Sequence, residues 1–310
     1  MTSTPVAFLA AAALVTAGLS SAQDFTPDPG QVRLEVSDLR RLAAVLRAAG
    51  GETSARAAAI ERDYLARASP GLRRYVAQYN VTGASIAAAV AKSPHAYADL
   101  DRTAAAILAE APALRSACQK LKALHPDAVF PPVWFVGGHL GAGGMVEREG
   151  VIVAGERYAA NPADVVALVL HELAHFQSAM LIGVETYHRA LGSEATLLSR
   201  AVREGSAELI AELTTGRHIN PAAERYGAHH ERELWERFRQ EMHRREPGDW
   251  MFVQPSNAEW PRDLGYWIGY RIAKSYYDSA RDKARAIEDI LSVTDFAAFL
   301  EASGYAGGTR

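Results

Sequence analysis

The chain has 310 residues, 49% of them hydrophobic, and a formal net charge of -3. This length is enough for one or two domains with a substantial core. The small negative charge excludes a generally basic surface of the kind that attracts nucleic acid, so no nucleic-acid partner is expected. Cys118 is the single cysteine, which excludes an intramolecular disulfide and a cysteine metal cluster.

The first segment is apolar and Ala-rich from Val6 to Leu19, and Ser20-Ser21-Ala22 follows it. This pattern is typical of an export signal, and the apolar run is short for a membrane span. We predict a signal peptide over residues 1–22 and a periplasmic or secreted protein. Because no Lys or Arg precedes the apolar run, an uncleaved N-terminal anchor and a start site assigned too far downstream remain alternatives. No later segment is expected to be long and apolar enough to cross a membrane.

The next region, residues 23–125, has the apolar periodicity of helices. Apolar side chains recur at three- and four-residue spacing at Leu39, Leu42 and Leu46, and again at Ile60 and Tyr64. This half contains no motif that demands chemistry, so we predict a helical N-terminal region.

The region 126–310 begins with a different pattern. Two short apolar runs, Val133–Val136 and Val151–Ala154, predict strands separated by a glycine-rich loop. The predicted fold is therefore mostly α (α+β), with a small mixed β-sheet. If the second strand lies at a sheet edge, it offers a peptide a place to bind by β-augmentation.

A helix of about four turns is predicted next. Asn161 is the expected N-cap and Pro162 the first helical residue, ahead of an apolar run. The run leads directly into His171-Glu172-Leu173-Ala174-His175. An apolar helix is a costly place for unpaired His and Glu side chains.

Histidines at positions i and i+4 project from one face of a helix, so His171 and His175 can hold one zinc ion between them. Glu172 is offset by one residue and points beside the metal, where it can take a proton from the attacking water. The spacing therefore predicts a catalytic zinc site with Glu172 as general base.

A second acidic motif, Glu204-Gly205-Ser206-Ala207-Glu208, falls on a helix predicted from about Thr196 to Leu213. Glu204 and Glu208 share one face of this helix, and a dication would compensate their charges. We assign Glu204 as the third zinc ligand and Glu208 as the hydrogen-bond partner of a ligand histidine, His171. The reverse assignment of the two glutamates stays open. Gly205 predicts close approach of another backbone.

These motifs resemble those of the gluzincin metallopeptidases, in which HExxH supplies two ligands and a glutamate on a later helix the third. They are closer to a bacterial family of predicted zinc-dependent proteases, a domain of unknown function. In that family a helix similar to Gly265–Ile272 and a terminal Ser303-Gly304-Tyr305 follow. The likeness extends from about Pro131 to the end of the chain. It implies a zincin-like fold, zinc, and a peptide or protein substrate.

The chain departs from the resemblance at two places. Twenty-eight residues separate His175 from Glu204, more than in thermolysin-like or aminopeptidase-like enzymes. The extra length, including Gly183 to Gly192, is expected to form a loop near the cleft. Val146 stands where the aminopeptidase motif has its amine-binding glutamate, and Glu147 is expected on the opposite strand face. We therefore predict an endopeptidase.

Peptide hydrolysis passes through a tetrahedral intermediate whose oxyanion needs a hydrogen-bond donor besides the metal. Tyr or His is the usual donor, and this sequence offers several of each. We select Tyr266 as the catalytic candidate. Tyr270, His229 and His230 are alternatives, with packing roles open for all of them. For Arg271 an internal ion pair is expected rather than a substrate contact.

Two other functions remain open at this point. One is a zinc hydrolase of a non-peptide amide, such as a cell-wall crosslink, which would use the same site. The other is a non-catalytic envelope binding protein with structural zinc, which requires a fourth protein ligand, and His139 and His188 are the candidates. The oligomeric state is left open.

Overall fold

The computed structural model describes residues 25–140, 143–192 and 194–308, so the predicted signal peptide at residues 1–22 lies outside the described residues. The described chain is mostly helical with one small mixed sheet, which confirms the predicted fold class. The strands are β1 (Leu34–Glu35), β2 (Val133–Val136), β3 (Gly144–Glu147) and β4 (Gly150–Ala154). The helices are α1 (Ser37–Ala48), α2 (Thr53–Asp63), α3 (Pro70–Tyr79), α4 (Gly83–Lys92), α5 (Pro94–Tyr97), α6 (Leu100–Ala109), α7 (Ala111–Leu124), α8 (Asp164–Ile182), α9 (Val184–Leu191), α10 (Leu197–Thr215), α11 (Pro221–Glu241), α12 (Leu264–Ser279), α13 (Lys283–Leu291) and α14 (Phe296–Ser303).

The sheet has the strand order β1-β2-β4-β3, with β2 parallel to β1 and β4, and β3 antiparallel to β4. The two predicted strands are confirmed as β2 and β4. The prediction that the strand at Val151–Ala154 lies at an edge is wrong, because β3 pairs with its outer side. A strand is expected at Val146 and Glu147, and it is confirmed as β3, although its first residues fall in the predicted glycine-rich loop. Strand β1 was not predicted, because it has only two residues.

Helix α8, which carries the histidine motif, is predominantly apolar, and its residues from Val165 to Ala179 are buried on every face. A helix of this kind forms part of a core. It is longer than predicted, at 19 residues or about five turns. The predicted N-cap at Asn161 is wrong: Ala163 occupies the cap position, and the Asn161 carbonyl accepts from the Asp164 amide at 3.1 Å in a preceding turn.

By length and hydropathy, α8 is also the one helix among the described residues that could cross a membrane. This contradicts the expectation that no segment after the N-terminus has that composition. However, 83% of its apolar window is buried inside the fold, so length and hydropathy are weak evidence for a membrane span here.

Helices α10 and α12 cross with their backbones in contact. A Cβ built on Gly205 of α10 would lie 1.9 Å from the Tyr270 amide nitrogen of α12. A Cβ built on Gly269 would lie 1.7 Å from the Ala201 carbonyl oxygen. The predicted close approach at Gly205 is confirmed, and the crossing fixes the helix that carries Glu204.

Two apolar clusters form the core, and α10 contributes to both. The first contains the N-terminal helices, the sheet and α8, with Ala207 and Ile210 of α10. The second is built from α10 to α14 and includes Leu209. The first cluster draws on residues on both sides of the predicted boundary between residues 125 and 126, and the two-region division stays a prediction. Helices α8 and α10 therefore face each other where the two clusters meet.

Candidate metal centre

Three side chains from α8 and α10 converge on one point. The Nε2 atoms of His171 and His175 lie 3.1 Å apart, and Glu204 Oε2 lies 3.2 Å from each of them. A tetrahedral zinc ion with bonds of about 2.0–2.1 Å places its ligand atoms about 3.3 Å apart. The two nitrogens and one oxygen are thus already spaced as ligands of a single ion.

The electrostatics of this group also fit a bound cation. Burial acts to raise the pKa of the Glu204 carboxyl, but the charge and hydrogen bonds of His175 and His171 outweigh it and hold that pKa well below its usual range. Burial acts to lower the pKa of His171, but the neighbouring carboxylates of Glu204 and Glu208 outweigh it and raise the pKa to about 10. Both shifts show that the pocket favours positive charge between these side chains.

Glu172 lies beside this group and under the edge strand. Glu172 is 8% exposed, and burial raises the pKa of its carboxyl. A Cβ built on Gly144 of β3 would lie 2.5 Å from Glu172 Oε1. A side chain at position 144 would therefore push the Glu172 carboxylate out of its present place.

Comparison with protein families gives one match. The family described as Predicted Zn-dependent protease (DUF2268) matches residues 136–294, which include the strands β3 and β4 and every residue of the motif pair. The chain belongs to this family. No curated protein and no solved structure matches the chain.

The family assignment and the ligand geometry together identify zinc as the cofactor, and a protease family implies peptide or protein substrates. Two imidazoles and one carboxylate are a donor set that zinc commonly takes in proteins. Among the described residues, His171, His175 and Glu204 form the one group of metal-ligand side chains whose donor atoms lie within 4.8 Å of one another.

Glu208 lies one helical turn after Glu204 and faces the far side of His171. Its Oε2 is 3.6 Å from His171 Nδ1. Its Oε1 accepts from the Ile219 backbone amide at 3.0 Å and lies 3.0 Å from His218 Nδ1. Glu204 therefore lies with the two ring nitrogens that could hold a metal ion, and Glu208 lies behind His171.

His218 is a residue that sequence analysis missed. Its ring lies edge-on to Tyr270 at 4.9 Å, and the adjacent Arg217 pairs with Asp164 at the start of α8. The segment between α10 and α11 is thereby tied both to α8 and to Glu208. No periodicity marks a histidine ten residues after Glu208, so this contact could not be read from the sequence.

Replacing His218 tests this contact. His218→Ala should weaken zinc binding about tenfold, the lower end of the effect of losing an outer-shell partner, because Glu208 loses one of the two donors that orient it. Affinity is measured by competition with a chelator. His218→Asn, which retains an N–H donor near the Nδ1 position, should restore most of it. His229→Ala is the control, since His229 Nδ1 bonds only within its own helix. Equal affinity in His218→Ala and wild type would contradict the role.

The structure separates the predicted oxyanion donors. The Tyr266 ring stacks on His171 with centroids 6.0 Å apart. Burial, together with the charge of the nearby Glu204, raises the pKa of the Tyr266 hydroxyl. The Tyr270 hydroxyl instead donates to Glu212 at 2.9 Å. Tyr266 therefore lies at the candidate metal centre, whereas the Tyr270 hydroxyl is already bonded to Glu212.

The remaining candidates are engaged elsewhere. His229 and His230 bond to backbone carbonyls of α11. His139 lies near Tyr75, with ring centroids 6.4 Å apart, and His188 near Tyr187, with centroids 5.9 Å apart. Neither belongs to the zinc-ligand group. Arg271 pairs with Glu231 at 2.7 Å, which confirms the expected internal ion pair.

The segment expected as a loop at Gly183 to Gly192 is largely the helix α9, so that prediction is wrong. The glycines bound the helix instead of breaking it. Tyr187 of α9 is buried, with its ring 6.2 Å from that of His175. The extra residues between the two motifs thus place a second aromatic ring, that of Tyr187, beside a ligand histidine, as Tyr266 lies beside His171.

Proposed function

We propose that this protein is a zinc-dependent endopeptidase in which His171, His175 and Glu204 bind the metal and Glu172 is the general base. One observation carries the proposal: three protein ligand atoms converge, and no fourth His, Cys, Asp or Glu of the described residues joins them. Structural zinc sites are closed by a fourth protein ligand, whereas catalytic sites keep a position open. This argues against the structural-zinc alternative.

The chemistry follows from the placement of the side chains. A zinc ion bound by these residues would act as a Lewis acid that polarises the scissile carbonyl. Glu172 accepts a proton from the attacking water on a carboxylate oxygen and then donates it to the leaving amine. Its raised pKa, caused by burial, suits a group that must both accept and return a proton near neutral pH.

Tyr266 is proposed to donate its hydroxyl hydrogen to the oxyanion. Tyr266→Phe should lower kcat about 10²-fold, the usual effect of removing one oxyanion donor, with KM nearly unchanged. Tyr270→Phe is the matched control on the same helix, because its hydroxyl is bonded to Glu212. Steady-state kinetics on one fluorogenic peptide measure both. Equal losses in the two variants would show a packing effect and contradict the assignment.

The substrate is proposed to lie along β3. In the part of the chain that the structure describes, this strand pairs with β4 on one side and with no strand on the other, and its Gly144 borders Glu172. An extended peptide that adds to the open edge by backbone hydrogen bonds would pass the base directly. We therefore propose β3, instead of the strand at Val151–Ala154, as the strand to which a peptide adds.

Endopeptidase action is supported by Glu147, the acid nearest the missing amine-binding position. Its Oε2 accepts from Arg74 Nη2 at 2.6 Å. A carboxylate held in this ion pair is already compensated, so it is poorly suited to bind the amino terminus of a substrate. Val146 offers no charge in its place.

The test is mass spectrometry of products from the zinc-loaded chain and a peptide library in free and in N-acetylated, C-amidated forms. Internal cleavage of blocked peptides, abolished by a chelator and restored by zinc, is expected. Cleavage confined to peptides with a free terminus would show an exopeptidase. Cleavage of a cell-wall amide, without cleavage of any library peptide, would support the alternative of a zinc hydrolase that acts on a non-peptide amide.

We also propose that the enzyme acts outside the cytoplasm. The apolar run Val6–Leu19 followed by Ser20-Ser21-Ala22 supports this. N-terminal sequencing of the protein from the envelope fraction or medium should begin at Gln23. Full-length protein confined to the cytoplasm would contradict export.

A further inference from the structure

Arg203 is a buried arginine that directly precedes Glu204 on α10. It is 4% exposed. Its Nη1 donates to Ser178 Oγ of α8 at 2.6 Å, and its Nη2 donates at 3.2 Å to the carbonyl of Val293, which follows α13. Ser178 Oγ in turn donates to the Leu291 carbonyl at 2.5 Å. The guanidinium therefore ties α10 to α8 and to the end of α13.

The same guanidinium also contacts a ring of α9. Its carbon atom lies 4.9 Å from the centroid of the Tyr187 ring and 5.3 Å from that of Phe296. A cation over the face of an aromatic ring is attracted to it, most strongly where water is excluded. Tyr187 is buried, whereas the other α9 side chains whose burial is described are exposed or half-buried. Tyr187 is thus the side chain by which this part of α9 is packed into the fold.

Both contacts of Arg203 lead to the ligand histidine His175. Ser178 lies one helical turn after His175 on α8, so the two residues are neighbours on the helix surface. The Tyr187 ring lies 6.2 Å from the His175 ring, at an interplanar angle of 62°. One side chain therefore links the helix that carries two ligands, the ring beside one of them, and the residue next to the third.

We propose that Arg203 is a positioning residue of the metal centre. It fixes His175 relative to Glu204, through the serine on α8 and the ring on α9. Arginine suits this role because its planar guanidinium donates in fixed directions while its face lies on an aromatic ring. Ligands whose orientation is locked by such surrounding contacts bind a metal more tightly. The inference rests on the zinc site of the proposed function but not on its peptide substrate, so metal binding alone tests it.

The visible absorption of the Co²⁺-substituted chain tests this role, because the cobalt bands depend on the number and arrangement of the ligands. Tyr187→Leu, which removes the ring, should change the cobalt spectrum. It should also weaken zinc binding about tenfold, the lower end of the effect of losing an outer-shell contact. Tyr187→Phe keeps the ring and should match the wild type. A wild-type cobalt spectrum and zinc affinity in Tyr187→Leu would overturn the proposal.

Variants of Arg203 assign the effect to the guanidinium. Arg203→Met should change the cobalt spectrum and lower zinc affinity as Tyr187→Leu does. Arg203→Lys keeps a cation beside the ring and should restore most of the affinity. Phe296→Leu is the matched control, because it removes the other ring beside the guanidinium but leaves Tyr187 against His175. A cobalt spectrum altered in this control as much as in Tyr187→Leu would show general loosening and count against the role.

A double-mutant cycle on zinc affinity separates positioning from independent effects. The loss in Arg203→Met/Tyr187→Leu should be smaller than the sum of the two single losses, because both act on His175 through one contact. Additive losses would overturn the proposal. If Arg203→Met does not fold, Ser178→Ala, which removes the acceptor of Arg203 on α8, takes its place in the cycle.

The failure of this inference differs from the failure of the zinc site. A wild-type chain that binds neither Co²⁺ nor Zn²⁺ would contradict the zinc site and this inference with it. Wild-type metal binding that is unchanged in the variants of Arg203 and Ser178 would overturn the inference alone.

Discussion

Glu172→Gln should lower kcat on a cleaved peptide by about 10³-fold, within the range of general acid–base contributions, while zinc content stays at the wild-type level. The amide keeps the size of the side chain beneath Gly144 but can no longer accept the proton of the attacking water. Because Glu172 is not among the three converging ligands, the metal should remain bound.

Two measurements on the same preparation separate the base from a structural role: steady-state kinetics and zinc content by elemental analysis. Glu185→Gln, an exposed glutamate on α9, is the control and should keep kcat within about twofold of wild type, as expected for a surface change. Parallel loss of zinc and activity in Glu172→Gln would show that the carboxylate holds the metal. Full activity would exclude it as the base.

Gly269→Ala should destabilise the protein by about 4 kcal/mol or more, at the upper end of single substitutions. The new Cβ would collide with the Ala201 carbonyl oxygen at 1.7 Å, and backbone cannot move aside as a flexible side chain can. Helix α12 must therefore separate from α10, which carries Glu204. Because overpacking of this kind shifts backbone, zinc affinity should fall together with stability.

Urea unfolding gives the free energy of unfolding, and chelator competition gives the zinc affinity. Gly51→Ala is the matched control, since a Cβ there meets nothing within 4 Å and should change stability by no more than about 0.5 kcal/mol. A Gly269→Ala variant as stable as this control would show that the two helices do not cross in contact.

The sequence predicted the parts of the site that depend on spacing along one helix. His171 and His175 are one turn apart, as are Glu204 and Glu208, and helix geometry alone places each pair on one face. The apolar run before His171 predicted burial of α8. Gly205, beside Glu204, predicted close approach of another backbone, although the sequence did not say which helix would meet it.

Contacts between distant segments could not be predicted in the same way. His218 approaches Glu208 only because α10 ends at Gly216, whose φ of 75° turns the chain back. The pairing of β3 with β4 could not be predicted, because nothing in the composition of β3 names its partner strand. Arg203 belongs to an amphipathic-looking helix pattern, and only the packing of α13 and Phe296 around it shows that its charge is buried.

The central claim is that His171, His175 and Glu204 form one zinc site, and elemental analysis of the purified mature chain, residues 23–310, tests it most directly. The expected result is about one zinc per chain, lost in His175→Ala and in Glu204→Ala and retained in the surface control His188→Ala. A wild-type chain without zinc even after incubation with the metal would contradict the claim, as would undiminished zinc in His175→Ala.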